Sequence, residues 1–291
     1  MFSTVLVMLA MDARDESLVD AVIAGADALS IRKLIVVHVH NANPVAGPVA
    51  DLVELDRPDR PAALDNAEKR LSAALPDREV VALHPAGPPE HVLARLTEEH
   101  DVDLVMMGRH PSKNGKAGWG SASRKILRLT TCSALVVPRG STLDLKRVVV
   151  GFDFSQYAGM ALGVACQIGD AVDAVYQYSI DAARAGRTTE EMNQIIRERA
   201  EKHLETELLP VLQCASRPNI VVHNGGKTAE VLIKKAGGDT IVLGSRGLSP
   251  LARLLIGSSA DRVAGRAEGP VLVVRRKGST LSIFERLFHK A

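Results

Sequence analysis

The sequence predicts an α/β protein of two tandem doubly wound (Rossmann-like) domains, each a five-stranded parallel sheet. Three observations carry this. The chain has 291 residues, more than the roughly 100 to 200 of a common single domain. It repeats itself once: Asp103 to Gly108 (DLVMMG) recurs as Asp239 to Gly244 (DTIVLG), Gly120-Ser121 as Gly257-Ser258, and Ala134 to Val137 as Val271 to Val274. Within each copy, short Val/Ile/Leu runs bounded by turns alternate with helical stretches, the pattern of parallel strands covered on both faces.

Taken in order, Val5 to Met11 is the first strand of copy one; acidic residues follow it at once and no basic segment precedes it, so it does not read as a signal peptide. The turn-forming stretch Pro138 to Leu145 separates the copies, giving domains over 1–140 and 146–278 and a tail over 279–291. In copy two, strands fall near 147–152, 172–178, 219–223, 239–244 and 270–275, and helices near 156–169, 188–214, 228–236 and 258–266. Ala158, Ala161, Leu162, Ala165 and Ile168 form a stripe at helical spacing that packs on a sheet. The apolar last strands, Ala134 to Val137 and Val271 to Val274, are expected at sheet edges, pairing the copies as an internal pseudo-dimer. Leu281, Phe284, Leu287 and Phe288 place one apolar face on the tail, suited to packing on its own chain or a sister chain, or to docking on a protein client or, weakly, a membrane surface.

Composition excludes several classes. Lys+Arg 36 against Asp+Glu 34 is too balanced for a dedicated nucleic-acid binder, and aromatics at 3% are too few for base-stacking platforms. No run reaches the roughly 18 to 20 apolar residues of a membrane span, so stable membrane insertion is not expected. Cys132, Cys166 and Cys214 are far apart without a CxxC pair and read as reduced thiols of a cytoplasmic protein. His38 and His40 lie two apart on a strand, but no further ligands complete a metal set. The GKT of Gly226 to Thr228 is not a P-loop, because Val221 stands where that motif needs glycine. No nucleophile, base and orienter arrangement stands out, so no catalytic residue is assigned.

The informative stretch is GSRGLSPLARLLIGSSADRV, from Gly244 to Val263. Glycines let the backbone approach an anion, and free N–H groups with the helix dipole at Ser258 favour negative charge. Asp153 and Ser155 end the first strand of copy two, which neighbours the fourth strand across the switch point, so Asp153 should face the Gly244 loop. It could bind a ribose hydroxyl or base edge, or cap the next helix; Ser155 could cap as well.

The G-x2-G-x9-G-[ST] pattern of Gly244, Gly247, Gly257 and Ser258, with Asp153 to Ser155 (DFS) and Gly226 to Leu232 (GKTAEVL), resembles the universal stress protein family in its tandem, ATP-binding form. The resemblance implies an ATP site in copy two; Mg²⁺ held by the phosphates belongs to the slow-ATPase alternative. The resemblance sets Gly151, Phe152 and Asp153 by adenine or ribose and Gln177 where a second-strand backbone contact is usual. Leu243, Gly244, Arg246 and Gly247 fall by the ribose and phosphates, and Gly257, Ser258 and Ser259 by the phosphates, with Ser155 close by. Copy one departs from the pattern, with Ala10 for the aspartate, Pro111 for the second glycine and one residue fewer before Gly120, so its site is expected to be lost; Arg109, Lys113 and Lys116 leave a weaker anion site open. The expectation is therefore a cytoplasmic, dimeric, nucleotide-responsive stress protein and not a dedicated enzyme. Its alternatives are a slow Mg-dependent ATPase and a nucleotide-free scaffold.

Overall fold

The computed structural model describes residues 1–12, 15–40, 59–109, 121–245 and 256–275. The chain divides into two compact units, Met1–Gly140 and Ser141–Ala291. Unit 1 runs β1 (Thr4–Met8), α1 (Asp15–Gly25), β2 (Lys33–Val37), α2 (Ala62–Ala74), β3 (Glu79–Leu83), α3 (Pro89–Glu99), β4 (Leu104–Arg109), α4 (Ser121–Leu129) and β5 (Ser133–Pro138). Unit 2 repeats the order with β6 (Arg147–Gly151), α5 (Gln156–Ile168), β7 (Ala171–Tyr178), α6 (Thr189–His203), β8 (Asn219–Asn224), α7 (Thr228–Ala236), β9 (Thr240–Gly244), α8 (Ser258–Arg266) and β10 (Val271–Val274).

Within unit 1 the strand order is β3-β2-β1-β4-β5 and within unit 2 it is β8-β7-β6-β9-β10, with every pairing parallel. Consecutive residues Val5, Leu6 and Val7, and again Val148, Val149 and Val150, are wholly buried, which requires cover on both faces of each sheet. The chain steps outward through three strands and returns on the other side of the first, so strand order reverses between β1 and β4 and between β6 and β9. Such a reversal opens a crevice at the strands' carboxyl ends.

The aspartates that lead the two repeated strands anchor the opposite ends. Asp103 accepts the Thr4 N–H at 2.9 Å in unit 1. At the matching place in unit 2, Arg147 donates to Asp239 at 2.6 Å and to Asp173 at 2.7 and 2.9 Å, and these carboxylates hold its guanidinium above its ordinary pKa. The same position is thus served by a backbone amide in one copy and a side chain in the other.

Two expectations are corrected. The helix expected over 188–214 stops at His203 and continues as one π-helical stretch, Leu204–Leu208. Thr206 Oγ1 takes the Lys202 carbonyl at 2.9 Å, Leu209 N–H reaches back five residues to Leu204, and Pro210 has no N–H to extend the ladder. Cys166 and Cys214 are not separate thiols: they form a disulfide with Cα atoms 4.4 Å apart, while Cys132 is free and buried. Their separation of 48 positions hides in sequence a proximity that the return of the chain after α6 creates. The cysteines therefore no longer argue for a reducing compartment. Among the described residues no helix is long and apolar enough to cross a membrane. The tail 279–291, Pro111, Lys113, Lys116 and Gly120 lie outside the described residues.

Candidate functional site

A cavity of about 290 Å³ opens at the carboxyl ends of β6 and β9, close to the lower bound for small-molecule pockets, about 300 to 1,000 Å³. From β6 and the turn after it come Gly151, Phe152 and Asp153; from β7, Gln177; from β9, Leu243 and Gly244; and from the start of α8, Gly257, Ser258 and Ser259. These nine expected site residues are brought together. Arg246 and Gly247 lie outside the described residues. Ser155 does not line the cavity: it is the N-cap of α5, its Oγ accepting the Ala158 N–H at 3.1 Å.

Each wall has a local cause. Gly244 is glycine because α5 crosses it closely: a Cβ there would stand 2.6 Å from the Tyr157 carbonyl oxygen. Gly151 is likewise hemmed in by Leu243, 2.5 Å from where its Cβ would be. Gly257 is the N-cap of α8 at φ −62°, a conformation any residue adopts. Its own N–H donates to Ser245 O at 2.8 Å and its carbonyl accepts Asp261 N–H, leaving the first-turn N–H groups of Ser258, Ser259 and Ala260 aligned at the positive end of the helix dipole. Among the described residues Asp153 is the one ionisable member of the lining; its Oδ1 accepts the Ser155 N–H at 3.1 Å, and Oδ2 has no partner among them. The cleft therefore has a helix start with unpaired N–H groups at one end and a carboxylate acceptor in the turn after β6 at the other.

Sequence reasoning missed Ala158, Thr228, Leu232 and Ala260 on the lining. Thr228 carried a signal in the GKT dismissed as a P-loop. Its Oγ1 donates to Gln177 Oε1 at 2.8 Å, while Gln177 Nε2 donates to Tyr178 O at 2.8 Å and faces the carbonyls of Gly225 and Gly226 at 3.3 and 3.2 Å. Those two glycines hold φ of 85° and 75°, so a tight left-handed turn is fastened to the pocket floor by one amide. Among the described residues no group of three His, Cys, Asp or Glu side chains is placed to hold a metal ion.

Unit 1 is built differently at the matching place. Ala10 stands where Asp153 does, and the N–H groups of Ala10, Met11 and Asp12 are taken by the Asp15 carboxylate at 3.0, 2.7 and 3.3 Å. A hollow of about 300 Å³ in unit 1 is lined, among the described residues, by Leu9, Met11 and Asp12 with residues of α1 and α2.

The architecture defines a class: paired Rossmann-like α/β units with a helix-start cleft at the switch point of the second. The model of the universal stress protein family matches residues 1–138 and again 144–275, so the chain belongs to that family, as a tandem of two such domains. The chain is similar in structure to a universal stress protein from Archaeoglobus fulgidus (TM-score 0.61, 19% identity, covering 94% of this chain and 97% of that one). It is also similar to a functionally unknown protein from Pseudomonas aeruginosa PAO1 (TM-score 0.66, 15% identity, covering 99% and 98%). No curated protein is significantly similar in sequence.

Proposed function

We propose that unit 2 binds an adenine nucleotide, ATP with its Mg²⁺, and that the protein acts as a nucleotide-responsive regulatory module of the stress response and not as a dedicated enzyme. The observation that carries this is the convergence, around one cavity, of the first turn of α8, whose N–H groups at Ser258, Ser259 and Ala260 have no partner among the described residues, and Asp153, whose Oδ2 has none there either. Phosphates suit the helix start, where backbone N–H groups and the dipole favour negative charge. A ribose or base edge suits Asp153, an acceptor that would be repelled by phosphate. The apolar contributions of Phe152, Ala158, Leu232 and Leu243 suit the faces of a base.

Among the described residues the lining offers one carboxylate, half occupied by a backbone amide, and the preference for binding over turnover rests on the sequence, which offers no nucleophile, base and orienter set. A cytoplasmic homodimer is proposed from the resemblance of the sequence to its family, and the Cys166–Cys214 disulfide does not support that compartment.

Chemical analysis of nucleotide released from the purified, denatured protein tests the reading. It expects adenine nucleotide, retained through purification or taken up on soaking with Mg-ATP. Protein that releases none and takes up none contradicts it, and turnover abolished by Gly257→Val would make the module an ATPase.

A further inference from the structure

The residue between Asp153 and Ser155 is held in an unusual way. Phe154 has φ 61°, a left-handed conformation that bulky L-residues rarely adopt and that persists only where the surroundings over-determine it. The surroundings here are aromatic. The ring of Phe154 lies 4.9 Å from Phe152, 4.9 Å edge-on to Tyr176 and 5.4 Å edge-on to His203 of α6. Tyr178 stacks on Tyr176 at 6.4 Å, so four aromatics gather at this point in a chain whose Phe, Trp and Tyr content is only 3%. The left-handed residue is also the middle of the turn in which Ser155 N–H donates to Asp153 Oδ1.

Unit 1 offers an internal comparison. Met11, at the matching position after β1, has the same φ of 61°. There the turn is fastened by the Asp15 carboxylate, which takes three of its N–H groups, and the residue before it is Ala10. The left-handed turn thus belongs to the shared fold. The carboxylate on the turn and the aromatic clamp behind it occur together in unit 2.

We propose that Phe154 is a positioning residue: its ring, held by Phe152, Tyr176 and His203, locks the left-handed turn that fixes one oxygen of Asp153 on Ser155 and leaves the other to receive ligand. The ligand part of this rests on the nucleotide reading of the cavity; the locking part does not. A residue acting this way would lose its effect on binding once the carboxylate it positions is gone, whereas a merely structural residue would not.

The test compares Phe154→Gly, which keeps the left-handed turn without steric cost but removes the ring, with Phe154→Tyr, which keeps the ring. Calorimetry with Mg-ATP should show Phe154→Gly weakening binding roughly tenfold or more, the scale of one hydrogen bond to a charged group, while Phe154→Tyr binds like the parent. In an Asp153→Asn background, Phe154→Gly should cost less than about threefold further, because the two changes act on one interaction. In nucleotide-free protein, the Ser155 amide should lose roughly tenfold of its hydrogen-exchange protection in Phe154→Gly, with Ala161 and Leu162 in α5 unchanged. Equal losses in both backgrounds, or unchanged Ser155 protection, would overturn the proposal. If the parent protein takes up no nucleotide, the functional reading fails on its own and the Ser155 exchange alone decides the inference.

Discussion

Two residues that sequence alone could not tell apart, Ser155 and Ser258, turn out to sit in opposite relations to the cavity. Both are hydroxyls at a helix start, and both fit capping or phosphate contact by type. Ser155 is 8% exposed with its oxygen spent on Ala158 N–H, whereas Ser258 follows a glycine N-cap and lines the cavity. Ser155→Ala should therefore destabilise by about 1 kcal/mol, a melting shift of roughly 2 to 4 °C, with Mg-ATP affinity unchanged. Calorimetric melting beside a binding titration checks this; a tenfold loss of affinity would return Ser155 to the site.

At the scale of elements, the two copies use equivalent strand positions for different chemistry. Met8 pairs with Val37 and Gly151 with Val175, so His38 and His40 correspond to Tyr176 and Tyr178. In unit 1 His38 stacks on His84 at 5.4 Å and gives Leu9 O a ring-nitrogen partner at 3.0 Å; His40 meets His84 edge-on at 6.3 Å. Burial first, then His38, His40 and Arg60, hold His84 below its ordinary pKa. The unfolded chain then takes up this proton at higher pH than the folded unit does. The resulting stability is complete above the unfolded value near 6.5 and is lost as pH falls through it toward the lower folded value. His84→Gln should flatten the decline in unfolding free energy between about pH 7 and pH 5, measured by urea denaturation; an unchanged slope would show that His84 does not contribute to it.

The same scale shows what could be read in advance. Strands β6 to β10 and helices α5, α7 and α8 follow from apolar runs, turn residues and helical spacing, because each is a regular element with its own local signal. The end of α6 did not, since a π-helical stretch depends on Thr206 competing for a backbone carbonyl and on Pro210 failing to donate, which periodicity does not register. Thr228 was passed over because its place on the lining depends on Gln177, a partner 51 residues away.

For the whole molecule, the internal repeat was the legible feature, because a duplicated fold leaves landmarks in fixed order. The Cys166–Cys214 disulfide was not, because nothing local to either cysteine marks its partner. Alkylation of the denatured, unreduced protein should label Cys132 alone, and all three cysteines after reduction; three labels without reduction would restore the separate thiols. The repeat also frames the central claim, that one copy kept a ligand site while the other kept only the fold. Unit 1 has Ala10 in place of a carboxylate and an Asp15 carboxylate spent on the turn, while unit 2 offers Asp153 and the open start of α8. Losing even one hydrogen bond to a charged group weakens a site roughly 10- to 150-fold, so two equal sites are not expected. Calorimetric titration with Mg-ATP measures this most directly: the account predicts one nucleotide per chain, abolished by Gly257→Val and little altered by Gly120→Val. Two nucleotides per chain, or binding that survives Gly257→Val, would contradict it.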